Sequence, residues 1–145
     1  MVGLNRKEAL SQAMNNLELM ELTDRAKSKV SKFSGGMKRR INLAIALMGH
    51  PQLIFLDEPT VGIDPQSRNK IYVTIESLRD KGMTVLYTTH YMEEADRLCQ
   101  RVAIMDGGQI IALDTPIGLK SQIGIPEQVT LEDVFLKLTG RGLRD

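Results

Sequence analysis

Apolar residues recur at three- and four-residue steps near the start of the chain: Ala9, Leu10, Ala13, Met14, Leu17 and Met20 predict a helix over residues 5–22. Residues 23–32 are polar and basic and read as a connecting loop. Ser34 is placed to cap a second helix. Its Ile41, Leu43, Ala44, Ile45, Leu47 and Met48 are apolar almost all round, so burial on more than one face is expected. Gly49-His50-Pro51 stops it, because the residue before a proline is pushed out of helical backbone. Leu53 to Asp57 is a short unbroken apolar run, the pattern of a strand buried on both faces of a parallel sheet.

Asp64-Pro65 is a strong helix start, with Asp as cap and Pro at the first helical position. That helix carries Ile71, Ile75 and Leu78 on one face and ends near Lys81-Gly82. Residues 84–89 read as the next strand, 91–98 as the next helix, and 102–105 with 109–113 as a hairpin turning at Asp106-Gly107-Gly108. The tail is helical. One segment starts at Asp114-Thr115-Pro116, and a second at Thr130, where Asp133 stands in for the usual Glu of a capping box. Leu131, Val134, Phe135 and Leu138 form the apolar stripe of this last helix. Alternating strands and helices between 52 and 113 argue for an α/β fold with a mainly parallel sheet.

Composition adds limits rather than direction. The 145 residues suffice for one domain with a real core, and the apolar fraction of 42% and charged fraction of 26% are ordinary. A net charge of +1 points to neither nucleic acid nor anionic lipid. Lys38-Arg39-Arg40 is too short for a polybasic patch and reads as a solvated helix face. The single cysteine, Cys99, allows no internal disulfide and reads as a small buried hydrophobe. No apolar run approaches the roughly 20 residues needed to span a bilayer, and no secretory leader is visible. The expectation is a cytoplasmic chain that meets a membrane only through a partner.

Three segments carry candidate chemistry. Ser34-Gly35-Gly36 opens a helix, where exposed N–H groups and the positive end of the helix dipole favour a phosphate; the same residues also make a plain flexible cap. Asp57-Glu58 ends the first strand, where ligands of parallel α/β sheets gather. One carboxylate there suits Mg²⁺ and the other an attacking water, although a solvated acidic pair would look the same. His90 follows the second strand, where a solitary histidine is usually a surface or packed residue. His50 lies in the helix stop and receives no role.

Taken in order, Phe33-Ser34-Gly35-Gly36-Met37-Lys38-Arg39-Arg40, Leu53-Ile54-Phe55-Leu56-Asp57-Glu58-Pro59, Val61-Gly62-Ile63-Asp64-Pro65 and Thr88-Thr89-His90-Tyr91-Met92-Glu93-Glu94-Ala95-Asp96 resemble the signature, Walker B, D-loop and switch-histidine segments of ATP-binding cassette (ABC) ATPases. Signatures commonly read Leu-Ser-Gly-Gly-Gln; Phe33 and Met37 depart from this, and Met37-Lys38-Arg39-Arg40 resembles exporters of the daunorubicin-resistance type. The resemblance implies the C-terminal part of a P-loop NTPase-like domain, with a helical-subdomain piece over about residues 1–50, a Walker B to switch-histidine core over 51–113 and a helical tail over 114–145. It further implies that Ser34, Gly35, Gly36 and Met37 contact ATP bound to the opposite subunit of a head-to-tail dimer. Asp57 would be associated with Mg²⁺, Glu58 would be the catalytic base, Asp64 would cross the interface, and His90 would sense the γ-phosphate. The implied partners are a second nucleotide-binding domain and a transmembrane permease, with no nucleic acid.

No glycine in the chain is followed by lysine, so the Gly-x-x-x-x-Gly-Lys-Ser/Thr phosphate loop of this family is absent. The family resemblance places the strands ending at Asp57 and Thr89 on either side of the missing phosphate-loop strand, leaving apolar edges exposed. The isolated chain is therefore expected to be marginally stable and not to hydrolyse ATP. Two alternatives stay open. One is the C-terminal lobe of an SMC-like ATPase, which would need a long coiled coil before the signature. The other is a non-catalytic module capping another subunit's ATP site.

Overall fold

The computed structural model describes residues 3–140; residues 141–145 of the expected tail lie outside them. The chain divides into two compact units, residues 1–87 and 88–145.

In the first unit, α1 (Arg6–Leu19) starts at a capping box: the Asn5 side chain accepts from the Glu8 N–H at 2.9 Å, and the Glu8 carboxylate accepts from the Asn5 N–H at 3.1 Å. The expected apolar stripe buries no residue of the helix itself. Of that stripe Met20, just past the helix end, does enter the core, and Leu22 joins it there. The expected loop contains two single 3₁₀ turns, Thr23–Arg25 and Val30–Lys32.

Ser34 caps α2 (Gly35–Ala46) as its sequence indicates. Burial falls on Gly36, Arg40, Leu43, Ala44 and then Leu47, which is one stripe at helical spacing. Ile45 is exposed, so the expectation of burial on several faces is corrected to one. Positive φ at Gly49 and His50 ends the helix.

β1 (Leu53–Asp57) buries Ile54 and Leu56 but exposes Leu53, and Phe55 is 69% exposed. The strand is therefore covered on one face, not both: an apolar run reports that side chains are greasy, not that something lies over them. β2 (Thr84–Thr88) pairs directly with β1, and the Thr84 N–H donates to the Gln52 carbonyl at 2.9 Å. No third strand lies between them, which corrects the expectation that they flank one. That bond places the starts of both strands together, and α3 supplies the crossover that such a parallel pair needs. That helix, α3 (Pro65–Asp80), buries Ile71, Thr74, Ile75 and Leu78 at helical spacing. Its three aliphatic side chains each contribute about 1.5–3 kcal/mol by burial, enough to fix which face of α3 turns inward.

The second unit holds α4 (Met92–Leu98), the antiparallel hairpin of β3 (Val102–Asp106) and β4 (Gln109–Asp114), α5 (Pro116–Ser121) and α6 (Leu131–Thr139). Gly107 and Gly108 both have positive φ, as a tight two-residue hairpin turn requires. The register shifts between Ile104 and Met105, where a bulge lies. Ala95, Val102, Ile104, Leu119, Leu131 and Val134 form this unit's core. Cys99 sits only half-buried at its edge, at the end of α4. The Thr130/Asp133 capping box is present as the sequence indicates.

Candidate functional site

Ser34 has extended backbone, and its hydroxyl accepts from the Met37 N–H at 3.2 Å. The first-turn N–H groups of Gly35 and Gly36 have no carbonyl four residues back within the helix. The two glycines face different surroundings. A side chain at Gly35 would meet open space, whereas one at Gly36 would fall 2.3 Å from the Ser67 hydroxyl and 2.6 Å from its Cβ. The lack of a side chain at position 36 therefore has a packing reason: the start of α2 sits against the start of α3. Asp64 caps α3 by accepting from the Ser67 N–H at 2.9 Å. That bond, then the Ser67 hydroxyl, holds the Asp64 carboxyl below the usual aspartate range. Ser34, Gly36 and Asp64 are thus brought into one neighbourhood within the first unit.

Asp57 closes β1 and is exposed; Glu58 follows, half-buried. Glu58 has φ 42°, a left-handed backbone that non-glycine residues rarely adopt and that costs on the order of 1–3 kcal/mol. Two donors converge on its carbonyl, the Val61 N–H at 3.3 Å and the Arg39 Nη2 at 3.3 Å. The turn continues through buried Thr60, whose carbonyl accepts from Ile63, and through Gly62 with φ 70°. Among the described residues no three His, Cys, Asp or Glu side chains gather as a metal cage.

The basic trio is not a solvated face. Arg40 is only 8% exposed, and its guanidinium donates to the Met20 carbonyl. Arg39 reaches Glu58, and of the three Lys38 is the exposed one. Helical periodicity accounts for the burial of Arg40. Residue 40 lies four past Gly36 and three before Leu43, squarely on the buried stripe, so its position outweighs its charge. The charge near Arg40 is partly answered by Glu21, which pairs with Lys70. The Lys70 hydrogen bond chiefly lowers the pKa of Glu21, with Arg40 adding to the effect.

His90 belongs to the second unit. Its ring lies 4.2 Å from that of Tyr91, tilted by 41°. The Thr89 hydroxyl accepts from the Tyr91 N–H at 2.9 Å and donates to the Glu94 carboxylate at 2.8 Å. Glu94 is 3% exposed, and sequence reasoning passed over it. The available signal was its spacing, since it shares the buried side of α4 with Ala95 and Leu98. His90, Tyr91, Asp96 and Glu132 line a cavity of about 310 Å³ in this unit. His50 lies before β1, at the opposite end of the strand from Asp57.

The family description "ABC transporter" matches residues 4–61. The whole chain is 50% identical over 145 residues to the linearmycin resistance ATP-binding protein LnrL of Bacillus subtilis (strain 168), covering 44% of that protein. Over 121 residues, 83% of the chain, it is 46% identical to the daunorubicin resistance ATP-binding protein DrrA2 of Streptomyces coeruleorubidus, covering 38% of that protein. A solved ATP-binding subunit of an ABC transporter superposes with a TM-score of 0.79 at 28% identity, over 94% of this chain and 57% of that one. The chain thus spans less than half the length of these two curated relatives. No helix among the described residues is long and apolar enough to cross a membrane. In sequence and in fold, the chain belongs to the ABC transporter ATP-binding family, as a portion of the cassette without its phosphate loop.

Proposed function

We propose that the chain is the part of an exporter's ATP-hydrolysing subunit that carries the signature and Walker B segments. It would act at a head-to-tail dimer interface and drive a transmembrane permease from the cytoplasmic side. The observation that carries the reading is the carboxylate pair at the end of β1, where Glu58 is held in left-handed backbone immediately after Asp57. Strained backbone persists where the surroundings over-determine it, and such places cluster at active sites. Its relatives' names, resistance and export ATP-binding proteins, support the transport assignment.

In this reading the Glu58 carboxylate accepts a proton from water as its oxygen attacks the γ-phosphorus and the bond to the ADP oxygen breaks. A positioned base of this kind contributes roughly 10²–10⁴-fold. Mg²⁺ fits the donor set: it is commonly held by one or two carboxylates with waters and phosphate oxygens, and Asp57 is exposed to supply one. When bound it would neutralise charge on the β- and γ-phosphates. Ser34, Gly35, Gly36 and Met37 would present first-turn amides to the γ-phosphate of ATP held by the opposite subunit, the open space at Gly35 leaving room for it. Asp64 would position groups across that interface, and His90 would stabilise charge developing on the phosphate.

The phosphate loop and its Lys would come from another part of the cassette. Calorimetric titration of Mg-ATP into the chain, alone and mixed with a matching phosphate-loop half, tests this. Binding and turnover only in the mixture, with turnover lost in Glu58→Gln, are expected. Turnover by the chain alone would defeat the reading.

A further inference from the structure

We propose that Arg39 is a positioning residue for Glu58, fastening the left-handed turn after β1 to the helix that begins at Ser34. This rests on the assignment of Glu58 as catalytic base and adds a residue to it. The Glu58 backbone adopts φ 42° without the freedom of a glycine, so something must hold it there. Two donors meet at its carbonyl. The Val61 N–H is three residues away and forms with the turn itself, so it cannot say where that turn sits. Arg39 is nineteen positions away in sequence, on a different element, and its guanidinium makes a charge-assisted bond of fixed direction.

Arg39 lies four residues past Gly35, one turn along the same side of α2. One turn earlier, Gly36 is seated against Ser67. The first half of α2 is therefore attached to the segment 58–67 at two points. In the proposed dimer the start of α2 completes the nucleotide site of the opposite subunit, while Glu58 serves its own. A shift of α2 at one site would then re-aim the base at the other through Arg39.

The test compares Arg39→Met, which keeps the aliphatic stem and loses the donor, with Arg39→Lys, which keeps a donor. Nuclear magnetic resonance on the full chain reads the Glu58 Cα shift and HN–Hα coupling, and the exchange rate of the Val61 amide; His90 and Tyr91 signals report that the second unit is intact. In Arg39→Met, Glu58 is expected to leave the left-handed region and Val61 exchange to rise about tenfold, with Arg39→Lys in between. Unchanged Glu58 and Val61 signals in Arg39→Met would overturn the proposal. If the Met variant does not fold, Arg39→Gln, too short to reach the carbonyl, takes its place in the comparison with Lys.

Assembled with the phosphate-loop half, Arg39→Met should lose kcat by roughly 10–100-fold at unchanged KM, partly restored in Arg39→Lys; equal losses in both would count against a positioning role. Intact turnover in Glu58→Gln would remove the base assignment alone, and the backbone signals would still decide whether Arg39 holds the turn.

Discussion

A methyl group at position 35 and one at position 36 add a single heavy atom each, yet they should act oppositely. Gly35→Ala enters open space and is expected to leave stability within about 0.5 kcal/mol of the parent chain. Gly36→Ala meets both the Cβ and the hydroxyl of Ser67, so no rotamer of Ser67 relieves it. The overpacking cost of about 1–3 kcal/mol is opposed by alanine's helix preference of at most about 1 kcal/mol. A net loss is expected in urea unfolding, and Ser67→Gly should restore it in the double variant. Acid behaviour is set at this scale too. The folded-state pKa of Asp64 is depressed chiefly by the Ser67 N–H, and that of Asp133 by the Thr130 N–H. Such groups support the fold fully above the ordinary aspartate pKa of 3.8, and the support is lost as pH falls through the lower folded value. Asn caps without titrating. The stability difference between pH 7 and about pH 3 should therefore be smaller in Asp64→Asn than in the parent chain.

Elements whose signals are local are legible in the sequence alone. Ser34, Asp64 and Thr130 are caps by their side chains alone, and the three helices they open start where each cap indicates. The glycine pair of the β3–β4 turn is equally self-contained. What the pattern left hidden depends on partners distant in sequence: the one-sided cover of β1 and the direct pairing of β1 with β2. The candidate site divides the same way, since Asp57, Glu58 and His90 stand out by type and place, while Arg39 and Ser67 become visible only once α2 meets the residues following β1. Glu94 offers a measurable case. Glu94→Ala leaves the Thr89 hydroxyl without this acceptor and should cost about 1–3 kcal/mol in urea unfolding. Glu94→Gln keeps a carbonyl acceptor there and should cost less than half as much.

Across the whole molecule, exposed Leu53, Phe55 and Leu86 leave one side of the β1–β2 pair apolar and open. Such a face promotes association. Light scattering of the isolated chain is expected to rise with concentration, and Phe55→Lys to suppress it with little change in the unfolding midpoint. The division into two units, each with its own buried core, reaches further. Asp57, Glu58 and Asp64 stand in one unit and His90 in the other. Each unit can open on its own free-energy scale. A change in the core of either unit, remote from every candidate site residue, is then read first in that unit's own opening. Leu119→Ala, which empties a fully buried position in the second unit at a cost of about 2–5 kcal/mol, should speed amide exchange in that unit ahead of the first. On warming, amide protection should therefore be lost in two steps, one for each unit.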